Sequence, residues 1–391
     1  MEEWKMDFEF SDLQNDIRAG VREVCSRFDL DYWRQSHEEH TYPTEFVKAM
    51  SDAGWLGALI PEEYGGSGLG FTEGAIILEE VNRSGGNSNQ VHAQMYTMGA
   101  LLRHGSEEQK RKYLPQIADG SLRLQTFAVT EPDAGTDTTK IKTFAEKKGD
   151  RYIINGQKIF ISRFNNTDLM LLLARTTPLD KVEKRTHGIS LFLIDTREVG
   201  NGIESTKIST MLGGDTNQLF FNDLEVPEEC LIGEEGRGLY CVMDGMVAER
   251  ILVSGSALGN GKWFIDQAVK YANERVVFNR PIGQNQGIQF PIAQAYMELQ
   301  AAEALMYKAA TKFDNKLQAG AEANMAKYLC SEAAYHAAEA CMQTHGGYAA
   351  ANEYHINRKW MQARMMKIAP ISSNLILSYV GQHVLKMPRS Y

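Results

Sequence analysis

Residues 150–162 read DRYIINGQKIFIS, and they decide the fold class because they lie within a β-rich stretch of a chain otherwise patterned as helix. Branched and aromatic residues fill the segment, and the pairs Gly149-Asp150 and Asn155-Gly156 are typical of tight turns between strands. Similar short apolar runs continue from Leu122 to about Pro227 without a helix-length period. This pattern predicts a compact all-β domain, and the lack of intervening helices argues against a parallel βαβ sheet.

Helical patterns lie on both sides of this β-rich region. Before it, Ser11 precedes a periodic run, and Ser106 with Gln109 has the form of a capping box, in which two side chains satisfy backbone donors reciprocally. After it, three long stretches rich in Ala, Met and Leu are typical of helices that bury broad stripes in a bundle. The three stretches cover residues 239–275, about 288–315 and about 320–344.

The order of helices, strands and helices predicts a multidomain α+β fold. Its parts are an N-terminal helical domain (1–124), a middle antiparallel β-domain (125–235) and a C-terminal four-helix bundle (236–391).

Composition limits the classes of function. The 391 residues are 43% hydrophobic and 23% charged, as in ordinary globular proteins. The net charge of −9 argues against a nucleic-acid partner, and five scattered cysteines form no disulfide framework. No run reaches the roughly 18 apolar residues of a membrane span, and residues 1–10 do not resemble a targeting segment. We therefore expect no integral membrane association and a cytoplasmic location, or the mitochondrial matrix if the source is eukaryotic.

Two neighbouring segments carry candidate binding groups. Thr130, Gly135 and Thr136 lie in TEPDAGTDTTKIK, where a glycine lets the backbone approach a ligand and hydroxyl groups can surround an anion or a polar ring. In the next strand, alternation places Phe160 and Ser162 on one face, suited to an aromatic cofactor. An ordinary turn and a half-buried strand would have the same sequences, so both interpretations stay open.

Two further segments follow in the helical region. Arg275, Phe278 and Gln286 surround a Pro-Ile-Gly turn, and the pair Gly346-Gly347 follows a helix. Arginine binds pyrophosphate through forked hydrogen bonds, but a helix end with a surface arginine explains each segment equally well. The pair His37 and His40 matches no zinc motif, so no metal site is predicted, and no GxSxG segment supports a hydrolase.

A charged pair, Glu249-Arg250, stands in the small and apolar segment MVAERILVSGSALGNG (246–261). The small residues imply close packing, and a buried carboxylate costs several kcal/mol unless it is paired or used. The pair is therefore either a structural ion pair or the mark of a catalytic carboxylate.

These segments, in this order, resemble the acyl-CoA dehydrogenase family. The resemblance runs from FEFSDLQNDIR (8–18) to HVLKM (383–387) and implies an FAD held between the β-domain and the bundle. Its most specific segments are AVTEPDAGTD (128–137), GDRYIINGQKIFIS (149–162), NQLFFNDLEVPEECLIGEEGRG (217–238), ERVVFNRPIGQNQ (274–286) and QTHGGY (343–348).

The resemblance also implies the cofactor contacts. Phe160 stands where a tryptophan often packs against the flavin, and Ser162 where a threonine hydroxyl meets the N5 edge. Part of the set reaches the FAD of a neighbouring subunit, which implies a homotetramer built as a dimer of dimers. The implied FAD-binding residues are Phe127, Val129, Thr130, Gly135, Thr136, Phe160, Ser162, Arg275, Phe278, Gln286, Gln343, Gly346, Gly347, Ser372 and Asn374.

The chemistry implied is the conversion of an acyl-CoA thioester to the trans-2-enoyl-CoA. A carboxylate removes the α proton, the β hydride passes to flavin N5, and an electron-transfer flavoprotein accepts the electrons. Many members carry this glutamate in a Tyr-Glu-Gly-Thr run, where this chain has Pro370. A minority, including isovaleryl-CoA and long-chain dehydrogenases, place it on the bundle helix directly before an arginine, as in Glu249-Arg250. The expected substrate-binding residues are Thr136, Arg250, His92 and Tyr96.

Pro370 also lacks the backbone N–H that helps to polarise the thioester carbonyl in the family. Two other functions fit the same fold: a flavin enzyme that runs as an enoyl-CoA reductase or an oxidase, and a catalytically silent acyl-CoA binder. The acyl group stays open, although His92, Gln94 and Tyr96 hint at a substrate with some polarity.

Overall fold

The computed structural model describes residues 9–389 and begins with six helices. The capping box predicted from sequence is present: Ser106 N donates to Gln109 Oε1 at 2.9 Å, and Gln109 N donates to Ser106 Oγ at 3.1 Å. Ser11 caps the first helix in the same way. The six helices are α1 (Asp12–Cys25), α2 (Leu30–Glu38), α3 (Thr44–Asp52), α4 (Phe71–Arg83), α5 (Asn89–His104) and α6 (Glu107–Ala118).

An eight-stranded sheet forms the middle of the chain, in the order β6-β7-β3-β2-β4-β5-β8, with β1 paired to β4. The apolar faces of its central strands are buried, which explains their β-branched and aromatic content. The strands are β1 (Leu124–Ala128), β2 (Phe144–Lys148), β3 (Arg151–Ser162), β4 (Leu169–Arg175), β5 (Ile189–Asp195), β6 (Ile203–Lys207), β7 (Thr216–Pro227) and β8 (Leu231–Ile232).

The expectation of an antiparallel sheet needs one correction. Most pairs are antiparallel, but β1 runs parallel to β4, and β2 meets the end of β4 in parallel at Phe144 and Arg175. The reason is that β1 and β2 are joined by a long turn and not by a hairpin, so both approach β4 in the same direction.

The long strand β3 differs from the sequence prediction at two points. Gly149-Asp150 is the turn between β2 and β3, but Asn155-Gly156 lies inside β3, where the register against β7 shifts between Ile154 and Gly156. A second shift lies between Lys158 and Ile161, and it includes Phe160 with a φ of 58°. These are β-bulges, so the simple alternation that put Phe160 and Ser162 on one face is wrong there.

The rest of the chain is a four-helix bundle with one further helix after it, as the sequence predicted. A short hairpin of Val276–Val277 with Arg280–Pro281 (β9 and β10) joins the first two bundle helices. The bundle helices are α7 (Gly238–Glu274), α8 (Gln286–Asp314), α9 (Gly320–His345) and α10 (Ile356–Met366), and α11 (Ser373–Tyr379) follows.

Small residues bring α7 against the N-terminal helix α4. A Cβ added to Gly255 would lie 2.4 Å from the carbonyl oxygen of Ala75, and one on Gly259 would lie 2.1 Å from that of Glu79. The small residues after Glu249 therefore serve helix packing, as the sequence indicated.

A buried ion cluster also joins the N-terminal domain to the bundle. Glu79 on α4 is fully buried and accepts from Arg18 of α1 at 3.1 Å, Lys262 of α7 at 2.8 Å and the Tyr307 hydroxyl of α8 at 2.9 Å. Removing one partner of such a set leaves the others with uncompensated charge. The cluster thus holds α1, α4, α7 and α8 in one arrangement.

Across residues 9–389, no helix is long and apolar enough to span a membrane, and no cluster of three His, Cys, Asp or Glu side chains could hold a metal ion. Residues 1–8, on which the expectation of no targeting segment partly rests, lie outside the described range. The expected location stays a prediction.

Candidate active site

Glu249 lies on the first half of α7, where its carboxylate is half-buried. Burial raises the pKa of Glu249 to about 7, although the charges of Arg250 and then Lys327 act in the opposite direction. A carboxylate with a pKa near neutrality is a better base than an ordinary glutamate and is still partly ionised at neutral pH. The site therefore gives this residue the property of a general base.

The alternative of a structural ion pair does not fit the geometry. Within residues 9–389, no cation lies within 4 Å of the Glu249 carboxylate. Successive side chains on a helix do not face each other, so Arg250 points elsewhere. Its Nε is buried without a hydrogen-bond partner.

Two aromatic side chains of α5 lie beside Glu249. The rings of His92 and Tyr96 are 5.0 Å apart, and Tyr96 lies 6.2 Å from the ring of Phe127 on β1. Burial and then Arg163 lower the pKa of His92 to about 3, so the imidazole is neutral. Burial raises the pKa of Tyr96 to about 12, so its hydroxyl keeps its proton. Helices α5 and α7 and strand β1 thus meet around the carboxylate.

Sequence reasoning missed Arg163, which directly follows Ser162. Its φ is 67°, its Nε donates to the carbonyl oxygen of Gln125 at 2.9 Å, and its charge acts on both His92 and Tyr96. The sequence feature that could have indicated this residue is a cationic side chain directly after an apolar strand.

Lys327 on α9 was missed as well. Its side chain is fully buried, and Nζ donates to the carbonyl oxygen of Ile371 at 2.7 Å. Burial and then Arg250 lower the pKa of Lys327 to about 8. A lysine within an Ala-rich helix stripe was the signal that could have found it.

Most of the residues expected at the flavin form one continuous surface. Ile159 N donates to the carbonyl oxygen of Thr130 at 2.9 Å, and Thr126 Oγ1 donates to that of Ser162 at 3.2 Å, so the end of β1 lies beside the end of β3. Phe160 is 62% exposed. These contacts bring Phe127, Val129, Thr130, Phe160 and Ser162 together.

The turn that carries Gly135 and Thr136 is held in place by buried polar contacts at its base. The buried Lys158 donates from Nζ to the carbonyl oxygen of Val129 at 2.9 Å and pairs with Glu131 at 2.8 Å. Gly135 and Thr136 are exposed, and a Cβ built on Gly135 meets nothing within 4 Å. This surface fits a cofactor that has a flat aromatic ring and a negatively charged phosphate group. The exposed aromatic side chain can pack against the ring, and the hydroxyl groups and the open glycine turn can contact polar or anionic atoms.

The second group of expected cofactor residues lies at the opposite end of α7, roughly 40 Å from Glu249 at 1.5 Å per residue. Arg275 lies 5.6 Å from the ring of Tyr348, and Phe278 is 95% exposed. Gln286, Gln343, Gly346 and Gly347 are also exposed there. The structure does not bring this group to the Glu249 end within one chain.

The loop around Pro370 precedes α11. Ser372 Oγ caps this helix by accepting from Leu375 N at 3.4 Å, and Asn374 is exposed on its first turn. Their contacts with a cofactor stay predictions.

Comparison with known proteins identifies the three parts of the chain. Residues 11–121, 126–224 and 236–385 match the family models for the N-terminal, middle and C-terminal domains of acyl-CoA dehydrogenase. The acyl-CoA dehydrogenase FadE12 of Mycobacterium tuberculosis is 33% identical over 97% of this chain and 98% of its own length. A 3-(aryl)acrylate reductase of Clostridium sporogenes is 35% identical over 88% of this chain and 91% of its own.

Solved structures agree with these matches. The glutaryl-coenzyme A dehydrogenase in complex with glutaryl-CoA superposes with a TM-score of 0.92 at 30% identity and covers 98% of both chains. The FAD complex of PigA superposes with a TM-score of 0.89 at 27% identity, over 97% of this chain and 99% of the other. The predicted fold class and the predicted FAD cofactor are confirmed.

Proposed function

The chain belongs to the acyl-CoA dehydrogenase family of FAD-dependent oxidoreductases, and from that premise we propose that it converts an acyl-CoA thioester to the trans-2-enoyl-CoA with Glu249 as the base. One observation carries the proposal: within residues 9–389 the Glu249 carboxylate has no ion-pair partner, its pKa is raised to about 7, and its charge acts on Tyr96, whose ring lies 6.2 Å from that of Phe127 on β1.

The proposed step begins with the α C–H bond of the thioester. A Glu249 oxygen accepts the proton, the electron pair of that bond forms the Cα–Cβ double bond, and a hydride leaves the β carbon. When bound, FAD supplies the hydride acceptor. The protonated Glu249 is neutral, which suits a site that disfavours charge by burial.

The residues around Glu249 have separate proposed roles. Phe127, Phe160 and Ser162 hold the flavin, with the turn at Gly135 and Thr136 beside them. The substrate contacts are Thr136, Arg250, His92 and Tyr96. Val129, Thr130, Ser372 and Asn374 complete the proposed cofactor set within one chain.

We assign the second group to the FAD of a neighbouring subunit. The group is exposed and lies roughly 40 Å from Glu249, too far to complete the same site. Homotetramer formation, as a dimer of dimers, would bring the two ends of α7 from different subunits together. The group consists of Arg275, Phe278, Gln286, Gln343, Gly346 and Gly347.

Electron-transfer flavoprotein is the proposed acceptor of the electrons. A reaction in the opposite direction is a second candidate, because the 35% identical relative from Clostridium sporogenes is a reductase. In that direction, protonated Glu249 would donate to the α carbon of an enoyl thioester. The two directions need opposite protonation states of the same residue, so their pH dependence distinguishes them.

Anaerobic stopped-flow absorbance of the holoenzyme tests the proposal. A panel of acyl-CoA thioesters should bleach the flavin, and Glu249→Gln should slow the bleaching at least about a hundredfold, consistent with loss of a general base. Asp266→Asn, an exposed change on the same helix, is the control and should bleach at the normal rate. Normal bleaching by Glu249→Gln, or no bleaching by any thioester, would refute the assignment.

A further inference from the structure

Positive charge exceeds negative charge around Glu249. Arg250 and Lys327 act on its carboxylate, while Arg163 acts on the neighbouring His92 and Tyr96. Within residues 9–389, no ion pair includes Arg163. A half-buried guanidinium without a carboxylate is unfavourable unless a ligand supplies one.

The backbone and one side-chain nitrogen of Arg163 are held in place. Its backbone N donates to the carbonyl oxygen of Asp215 at 2.7 Å, and Nε donates to that of Gln125 at 2.9 Å. Its left-handed φ of 67° is uncommon for a residue other than glycine, asparagine or aspartate. Because Nε is the nitrogen that is used, the two Nη groups are left for Tyr96 and for a ligand.

Tyr96 connects Arg163 to the proposed base. The charges of Arg163 and Glu249 both act on its hydroxyl, and its ring faces Phe127 at 6.2 Å. Tyr96 therefore lies close to both the proposed base and the guanidinium, and an acyl chain bound at Glu249 can extend along its ring toward Arg163.

The Tyr96 hydroxyl is a hydrogen-bond donor beside Arg163. The Tyr96 hydroxyl is protonated, whereas the ring N–H of neutral His92 is used by the Glu249 backbone and its buried Nε2, without a partner among the described residues, is an acceptor. An aliphatic chain end would leave the guanidinium without a carboxylate and the hydroxyl proton without an acceptor, which is unfavourable in a buried site. A carboxylate would accept hydrogen bonds from the guanidinium and from the hydroxyl.

We propose that the acyl group of the substrate ends in a second carboxylate, which Arg163 binds with the help of the Tyr96 hydroxyl. The substrate class is then the mono-CoA thioester of a dicarboxylic acid. This inference rests on the proposed function, because it requires the acyl chain to lie beside Glu249.

Binding of unreactive thioethers to the FAD-loaded protein tests the inference without turnover. Isothermal titration calorimetry would compare S-(5-carboxypentyl)-CoA with S-hexyl-CoA, which carries the same number of carbons on its sulfur. We expect the carboxylated ligand to bind about tenfold more tightly or better, and Arg163→Gln to lose that preference while S-hexyl-CoA affinity stays the same.

Two further variants control this measurement. Arg163→Lys keeps the charge and should retain part of the preference. Arg151→Gln, an exposed change at the start of β3, the strand that ends just before Arg163, should keep all of it. Tighter binding of S-hexyl-CoA by the unmodified protein would overturn the inference even if Arg163→Gln failed to fold. A preference unchanged in Arg163→Gln would also overturn it.

Flavin bleaching separates this inference from the function on which it rests. We expect adipyl-CoA to bleach the flavin faster than hexanoyl-CoA at low concentration. If hexanoyl-CoA is faster and Glu249 is still required, the dicarboxylic substrate is wrong and the dehydrogenase function stands. If no thioester bleaches the flavin, both fail.

Discussion

Lys327 on α9 donates a hydrogen bond from Nζ to the carbonyl oxygen of Ile371 at 2.7 Å, and it thereby ties the bundle to the loop that carries Pro370. The same lysine is close enough to Glu249 for its charge to lower the pKa of that carboxyl. One buried cation thus links the shape of the loop to the ionisation of the proposed base.

Lys327→Gln should therefore change both properties. With the positive charge removed, the pKa of Glu249 should rise further, so the pH at which flavin bleaching reaches half its maximum should move upward. The loop should also lose the hydrogen bond from Lys327 that holds it, and we expect kcat/KM to fall about tenfold, since a hydrogen bond from a charged group contributes about 1.5–3 kcal/mol. A pH series of stopped-flow measurements checks both effects.

Lys270→Gln on the exposed face of α7 is the matched control and should leave the pH midpoint in place. A midpoint that moves downward in Lys327→Gln, or does not move, would show that Lys327 serves structure alone.

The direction of the pH dependence tests the role of Glu249 itself. Dehydrogenation needs the carboxylate, so bleaching by a saturated thioester should rise as pH increases through about 7, the value to which burial raises the pKa of this residue. Reduction of an enoyl thioester needs the carboxylic acid and should rise as pH decreases. Measuring both directions on the same protein gives two opposite curves, and Glu249→Gln should flatten each. A bleaching rate independent of pH from 6 to 8 (about one unit either side of that pKa) would contradict the assignment of the base.

Much of the fold could be predicted from the sequence because local patterns determine it. The three long bundle helices follow from apolar periodicity, and the capping box at Ser106 and Gln109 is a local contact. The two bulges of β3 could not be predicted, since a bulge depends on the register against the partner strand β7.

The candidate site could also be predicted only in part from the sequence. Glu249 could be found because its charge is out of place in a small apolar segment, and a family resemblance then gave it a role. Arg163 and Lys327 join the site only through tertiary contacts with α5 and with the loop after Pro370. Neither contact has a local sequence pattern.

The buried ion cluster around Glu79 should contribute strongly to the stability of the contact between the N-terminal domain and the bundle. Glu79→Gln removes the buried carboxylate that Arg18 and Lys262 share, although Glu80 still pairs with Arg18 and Glu303 still pairs with Lys262, so we expect the free energy of unfolding to fall by about 1–3 kcal/mol. Urea denaturation followed by circular dichroism measures the change. Glu204→Gln, on an exposed position of β6, should have an effect within about 0.5 kcal/mol.

Lowering the pH should weaken the stabilising effect of the same cluster. Lys262 and Arg18 hold the pKa of Glu79 below its ordinary value, although burial alone would raise it. A depressed pKa contributes stability above the unfolded value, and that stability is lost as pH falls through the folded value. The stability difference between the unmodified protein and Glu79→Gln should therefore be constant near neutral pH and shrink below about pH 4.5. A difference that grows in acid would contradict this account.

The close contact between α7 and α4 gives a last prediction. A Cβ on Gly259 would lie 2.1 Å from the carbonyl oxygen of Glu79, and because that atom belongs to a helix backbone, the two helices would have to separate. We expect Gly259→Ala to lower the free energy of unfolding by about 1–3 kcal/mol or more, despite the better helix propensity of alanine. Gly287→Ala, at a helical position of α8 where a Cβ meets nothing within 4 Å, is the control and should be neutral or stabilise by up to about 1 kcal/mol. Because Gly259 lies nearly three turns after Glu249, the separation should also reduce the bleaching rate. Equal stability of the two variants would show that α7 and α4 can move apart without cost.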